Sequence, residues 1–157
     1  MQFRMKTHQL PQEQIEVLLQ RSPAGCLATV GADGSPYAVP VHFIRMGGSV
    51  YLHGLPAGQK LDNIRADQRV CLTVWEMREL LLDGQERPCE TNTSYVSAVL
   101  QGRAALVQDP EEKKVALAGL IGKYTPQLTG KEIPENMLCG VAVVRIESDA
   151  LTGKYWP

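Results

Sequence analysis

The chain has 157 residues, 44% of them hydrophobic, and a formal net charge of -1 at pH 7. That balance excludes a disordered tail, a basic nucleic-acid binder and a strongly acidic protein, and the length suits a single domain, 1–157, with its own core. No apolar run approaches the ~18 residues of a membrane span, and MQFRMKTHQL lacks the apolar centre of an export signal, so a cytoplasmic protein is expected.

The first periodic segment, PQEQIEVLLQR, puts Pro11 at a first helical position and Ile15, Leu18 and Leu19 on one face, which predicts a short amphipathic helix. GCLATV, the turn-rich GADGSP, YAVPVHFIR, GG and SVYLHG then read as three β-rich runs of an antiparallel meander. Pro40 has no N–H to give a ladder, so its strand belongs at an edge or a bulge.

A short helix over residues 59–66 precedes RVCLTVWE, a fourth strand with Val70, Leu72 and Val74 on one face. In the longest β run, TSYVSAVLQGRAALV, alternation sets Val96, Ala98, Leu100, Ala104 and Leu106 against Tyr95, Ser97, Gln101 and Arg103. One side is core and the other is open to chemistry.

Asp109, Pro110 and Glu112 form a cap, first turn and capping box for a helix reaching about Tyr124, in which Gly119 and Gly122 permit close packing. CGVAVVRIES is a sixth strand, with Val141 and Val143 opposite Ala142, Val144 and Ile146, before a tail ending KYWP. Residues 77–90 and 125–136 read as loops. Six strands and few helices predict a mainly β, closed or nearly closed barrel.

Cys26, Cys71, Cys89 and Cys139 are scattered, without a CxxC pair or histidines at zinc-finger spacing, so they read as thiols and no metal centre is expected. Cys26 and Cys71, in apolar strands, read as core residues. No GxSxG elbow, GxGxxG or GxxxxGK[ST] occurs.

The chemistry gathers at YLHGLPAGQKLDNI, where His53 shares a strand face with Tyr51 and Gly54 lets a ligand approach. Gly58 and Lys60 open the next helix, whose unpaired N–H groups and dipole favour a phosphate or carboxylate. Taken alone, Lys60 fits a solvated side chain equally well, and His53 a strand-end histidine; His8 and His42 have less support still.

In order, LATVGADGSPYAVPVHF, VYLHGLPAGQKLDNIRADQRVCLTV and TSYVSAVLQGRAALVQDPEEK resemble the flavin-nucleotide-binding proteins of the pyridoxamine 5'-phosphate oxidase-like superfamily, specifically the nitroimidazole-resistance (Nim) type, over roughly residues 12–124. The resemblance implies a six-stranded antiparallel split β-barrel with peripheral helices, a homodimer, and FMN in a cleft at the subunit interface. By the same resemblance, Lys60 and the helix start at Gly58 hold the phosphate, His53 and Gly54 line the cofactor, and backbone from Ala28 through Thr29 to Val30 borders the isoalloxazine ring. Tyr95 and Ser97 match a Tyr-x-Ser segment facing the cofactor, and His53 matches the histidine tied to reductive chemistry. Two departures stand out: Val96 occupies a position where relatives commonly carry arginine, and GLPAGQK replaces a Ser-Ala version. Trp156 is expected to cover the flavin, seal the dimer seam or pack on its own barrel.

The function these features imply is an FMN-dependent oxidoreductase acting on a small electron-poor substrate such as a nitroaromatic or quinone. The competing readings are a non-catalytic flavin carrier or sensor, and a split barrel using F420 or haem. Pyridoxamine phosphate oxidase activity fits less well, because the arginine-rich strand and basic C-terminal motif that its substrate requires are missing.

Overall fold

Pro40 and the His-Phe pair after it decide how the sheet ends. In the computed structural model, which describes residues 6–85 and 87–157, the run YAVPVHFIR divides at His42 and Phe43 into β2 (Pro36–Val41) and β3 (Ile44–Met46). The other strands are β1 (Gly25–Val30), β4 (Ser49–Gly54), β5 (Arg69–Leu81), β6 (Asn92–Leu106) and β7 (Ala142–Trp156). They form one antiparallel sheet in the order β2-β1-β5-β6-β7-β4-β3.

Strands β2 and β3 follow each other in the chain yet occupy opposite edges, so the sheet must curl until its edges meet at His42 and Phe43. The result is a split barrel with an open seam, of seven strands where six were expected. Pro40 sits on edge strand β2, paired only with β1, where its missing N–H costs no ladder bond. At the seam the Phe43 N–H donates to the Tyr124 hydroxyl at 2.9 Å, and that hydroxyl donates back to the Phe43 carbonyl at 2.9 Å. One phenol thus satisfies the Phe43 N–H, which the split would leave unpaired, and shares the Phe43 carbonyl with Lys123 Nζ.

Helix α1 (Gln12–Arg21) buries Ile15, Leu18 and Leu19 against the barrel interior, where Leu27, Phe43, Leu72 and Leu100 are fully enclosed. Such a Leu or Ile contributes about 1.5–3 kcal/mol when removed from water. Helix α2 (Gln59–Ala66) matches its predicted bounds. Strands β4 and β7 are covered on both sides: Val50, Leu52, Val144 and Ile146 face the barrel, while Tyr51 and Val143 pack under α3 (Pro110–Tyr124) with Ala116, Leu117 and Leu120. Gly119 permits that approach, because a Cβ there would stand 3.0 Å from the Ile44 side chain, whereas Gly122 has no neighbour nearer than 4.0 Å.

Several boundaries differ from the sequence reading. Strand β5 runs to Leu81, so the start of the 77–90 stretch is a hairpin arm rather than loop, and a 3-10 turn follows at Pro88–Glu90. The 125–136 stretch holds a second 3-10 turn, Pro126–Leu128, and the start of α4 (Glu135–Cys139). Cys139 and Gly140 therefore precede the last strand, and β7 extends through the expected tail to Trp156 because β6 offers it pairing partners up to Tyr95. Pro11 is the cap of α1 rather than its first residue.

Asp109 caps α3 through the Glu111 and Glu112 N–H groups, but the Glu112 carboxylate does not return to close a capping box. It accepts from Tyr51 Oη and Arg145 Nη1, both at 2.9 Å. Cys26 and Cys71 are not core residues: each is half-exposed, one strand position out of phase with the buried Leu27 and Leu72. All four cysteines are free thiols. Among the described residues no helix is long and apolar enough to cross a membrane. The first five residues of MQFRMKTHQL lie outside the described residues.

Candidate functional site

Strand β4 ends at His53 and Gly54 because a short loop must turn the chain into α2. Gly58 makes that turn at φ 134°, a conformation side chains disfavour, and its carbonyl accepts from the Leu61 and Asp62 N–H groups. No side chain caps the helix, so its first turn presents backbone N–H groups toward any anion placed there. Lys60 stands in that turn, and a Cβ on Gly54 would lie 3.4 Å from its Nζ. The glycine gives the ammonium room at the strand end.

Lys60 and His53 line a hollow of about 410 Å³ with Ala24, Pro40, Val41 and His42. Its lining holds two imidazoles and an ammonium and no carboxylate. Burial pushes the Lys60 ammonium below its ordinary pKa. His53 is held below the usual imidazole value first by partial burial, then by the charges of His42 and Lys60. An anion in the hollow would relieve both, so this donor set fits the phosphate end of a nucleotide cofactor. His42, which sequence reasoning set aside, enters the site because the seam turns it toward His53. Its position immediately after the Pro40–Val41 edge was the only available signal.

Helix α2 is tied to β1 from below. Asn63, 2% exposed, donates from Nδ2 to the Thr29 hydroxyl at 2.9 Å and accepts from Gln59 Nε2 at 3.1 Å. The Thr29 side chain is thereby turned inward, 2% exposed, and only its backbone can border a ligand outside the barrel.

The remaining expected site residues lie elsewhere. Ala28, Thr29 and Val30 line a separate hollow of about 470 Å³ with Arg69, Cys71 and Gln101. Ser97 borders a third, of about 390 Å³, beside Lys154. Tyr95 pairs with Trp156 at the end of β7, whereas Gly54 pairs with Ala142 at its start, so the two groups stand a 15-residue strand apart. The Trp156 ring packs on His8, with centroids 4.6 Å apart. Val96 is 3% exposed and faces the core, so it lies on the opposite strand face from Tyr95 and Ser97.

A family model described as pyridoxamine 5'-phosphate oxidase matches residues 11–155. The chain belongs to that family. The fold is shared with a candidate 5-nitroimidazole antibiotic resistance protein of Bacteroides thetaiotaomicron, 25% identical, covering 94% of this chain and 86% of that one, TM-score 0.80. The FAD and haem binding protein of Mycobacterium smegmatis is 22% identical over 96% of this chain and 75% of its own, TM-score 0.85. The flavocytochrome Anf3 of Azotobacter vinelandii is 23% identical over 94% and 68%, TM-score 0.81. At the identities of these last two, the likeness is one of fold. Comparison with curated protein sequences finds no match.

Proposed function

We propose that this family member binds FMN and uses it to reduce a small, flat, electron-poor substrate such as a nitroaromatic or quinone. The observation that carries the reading is the carboxylate-free hollow of His42, His53 and Lys60 at the uncapped start of α2. Lys60 and the α2 N–H groups hold the phosphate, and the half-exposed outer faces of β1 and β5, with Ala28 and Cys71, receive the ring. When bound, the flavin supplies electron and hydride transfer. His53, whose pKa is lowered first by burial and then by the charges of His42 and Lys60, would favour its protonated form beside a bound phosphate and is the candidate proton donor at the mouth of this hollow.

A homodimer with the cofactor at its interface completes this reading. Lys60 and His53 lie at one end of β7 while Tyr95, Ser97 and Trp156 lie toward the other, so a second chain joins them around one ligand. The exposed Trp75 and Met77, at 62% and 65%, supply apolar surface for that contact on β5.

The test is an absorption spectrum after FMN addition and removal of excess, then anaerobic reduction by NAD(P)H in the presence of a nitroaromatic or quinone. A retained flavin spectrum with turnover supports the proposal. Retention without turnover reassigns the protein as a carrier or sensor, and no retention sinks the reading. Sedimentation at micromolar concentration tests the dimer, which a monomer that binds FMN tightly would overturn.

A second reading has its own observation: His42 and His53 line one hollow, and either imidazole could hold a haem iron there. Haem titration separates it, since a Soret shift lost in His42→Ala or in His53→Ala would favour haem over flavin.

A further inference from the structure

The seam of the barrel lies beside the candidate site and is closed by side chains rather than by a ladder. His42 is exposed and sits where no strand pairing fixes it. Its ring stacks on Tyr124, centroids 4.4 Å apart and planes inclined by 17°, while the same ring borders the hollow of His53 and Lys60. Tyr124 is itself anchored, because its hydroxyl makes both 2.9 Å bonds to the Phe43 backbone. Lys123 braces it, with Nζ donating to the Leu19 and Phe43 carbonyls at 3.2 and 3.0 Å and lying 4.1 Å from the Phe43 ring centroid.

We propose that Tyr124 is a positioning residue for this site: anchored across the seam, it holds His42 against His53 and Lys60 and so sets the charge that a bound anion meets. A stacked aromatic pair is worth about 0.5–1.5 kcal/mol, enough to select one rotamer of an otherwise exposed side chain. The groups around the histidine pair are His53 from β4, Lys60 from α2, and Lys123 and Tyr124 from α3, with no carboxylate among the lining. The consequence for flavin affinity rests on the function proposed above; the consequence for His53 does not.

The experiment is an NMR pH titration of His53 in flavin-free protein for the wild type, Tyr124→Leu, Tyr124→Phe, His42→Ala and the double variant Tyr124→Leu/His42→Ala. With His42 released, its charge acts less on His53, so Tyr124→Leu and His42→Ala each move the His53 midpoint upward. The double variant moves it no further than His42→Ala, and Tyr124→Phe, which keeps the stack, moves it less than Tyr124→Leu. FMN binding weakens about 2- to 10-fold in Tyr124→Leu, the stacking energy expressed as affinity. A lowered melting temperature with an unchanged His53 midpoint would mean that Tyr124 only holds the seam, and would overturn the proposal. Should Tyr124→Leu fail to fold, ring-to-ring NOEs between His42 and Tyr124 in the wild type decide, and their absence overturns it. A His53 shift without FMN binding by the wild type upholds the positioning role and removes the flavin reading alone.

Discussion

Replacing Lys60 with methionine keeps most of its stem and removes its charge, which isolates the electrostatic part of the phosphate site. Lys60 is half-buried at the first turn of α2, with no carboxylate in the hollow to neutralise it. Its ammonium, already pushed below its ordinary pKa by burial, recovers lost hydration from a bound phosphate. A charge-assisted hydrogen bond of this kind is worth about 1–3 kcal/mol once partial solvent access is allowed for, or about a 5- to 150-fold weaker FMN Kd in Lys60→Met. The assay is flavin fluorescence titration at low and moderate salt, run in parallel with riboflavin, which lacks the phosphate. FMN affinity should fall and lose part of its salt dependence, while riboflavin affinity stays as in the wild type. An unchanged FMN affinity, or an equal loss for riboflavin, would remove Lys60 from the phosphate site.

Asn63→Ala takes the donor from the buried Thr29 hydroxyl and unties α2 from β1, so it should cost about 1–3 kcal/mol in urea unfolding; a loss below 0.5 kcal/mol would mean that packing alone holds the helix. Gly102→Ala would place a Cβ 2.0 Å from the Glu147 carbonyl oxygen, at the register shift of β6, and should lower Tm by at least about 5 °C or prevent folding. Gly84→Ala, with nothing within 4 Å, is its neutral control, and equal Tm values for the two would refute the crowding argument. Burial lowers the Lys123 ammonium from 10.5 to about 8 in the folded protein. The unfolded chain therefore binds more protons between those values, and stability from this group should rise as pH climbs from 8 toward 10.5. Lys123→Gln should flatten that rise relative to the wild type. The opposite sign would show that the two carbonyls and the Phe43 ring hold the charge more strongly than burial opposes it.

What the sequence determined by itself is the part written in local periodicity. Alternation along β6 separated Val96, Ala98 and Leu100 from Tyr95 and Ser97, and burial divides them the same way, because a strand's side-chain period is fixed by the pleat. The bounds of α2 were legible because Gly58 marks the turn before it and Ala66 the last residue before an extended Asp67. Pro40 foretold an edge strand because its missing N–H acts wherever the strand lies. Tertiary structure alone decided the rest. Cys26 and Cys71 sit in apolar runs, but phase, not composition, put them on the outer face. A strand ends where its partner ends, so only the pairing with β6 could show that β7 continues to Trp156. The site's second imidazole was invisible because His42 and His53 are related through the seam. That seam exists because a curled sheet must bring its two edges together, and no local pattern records which residues stand where the edges meet.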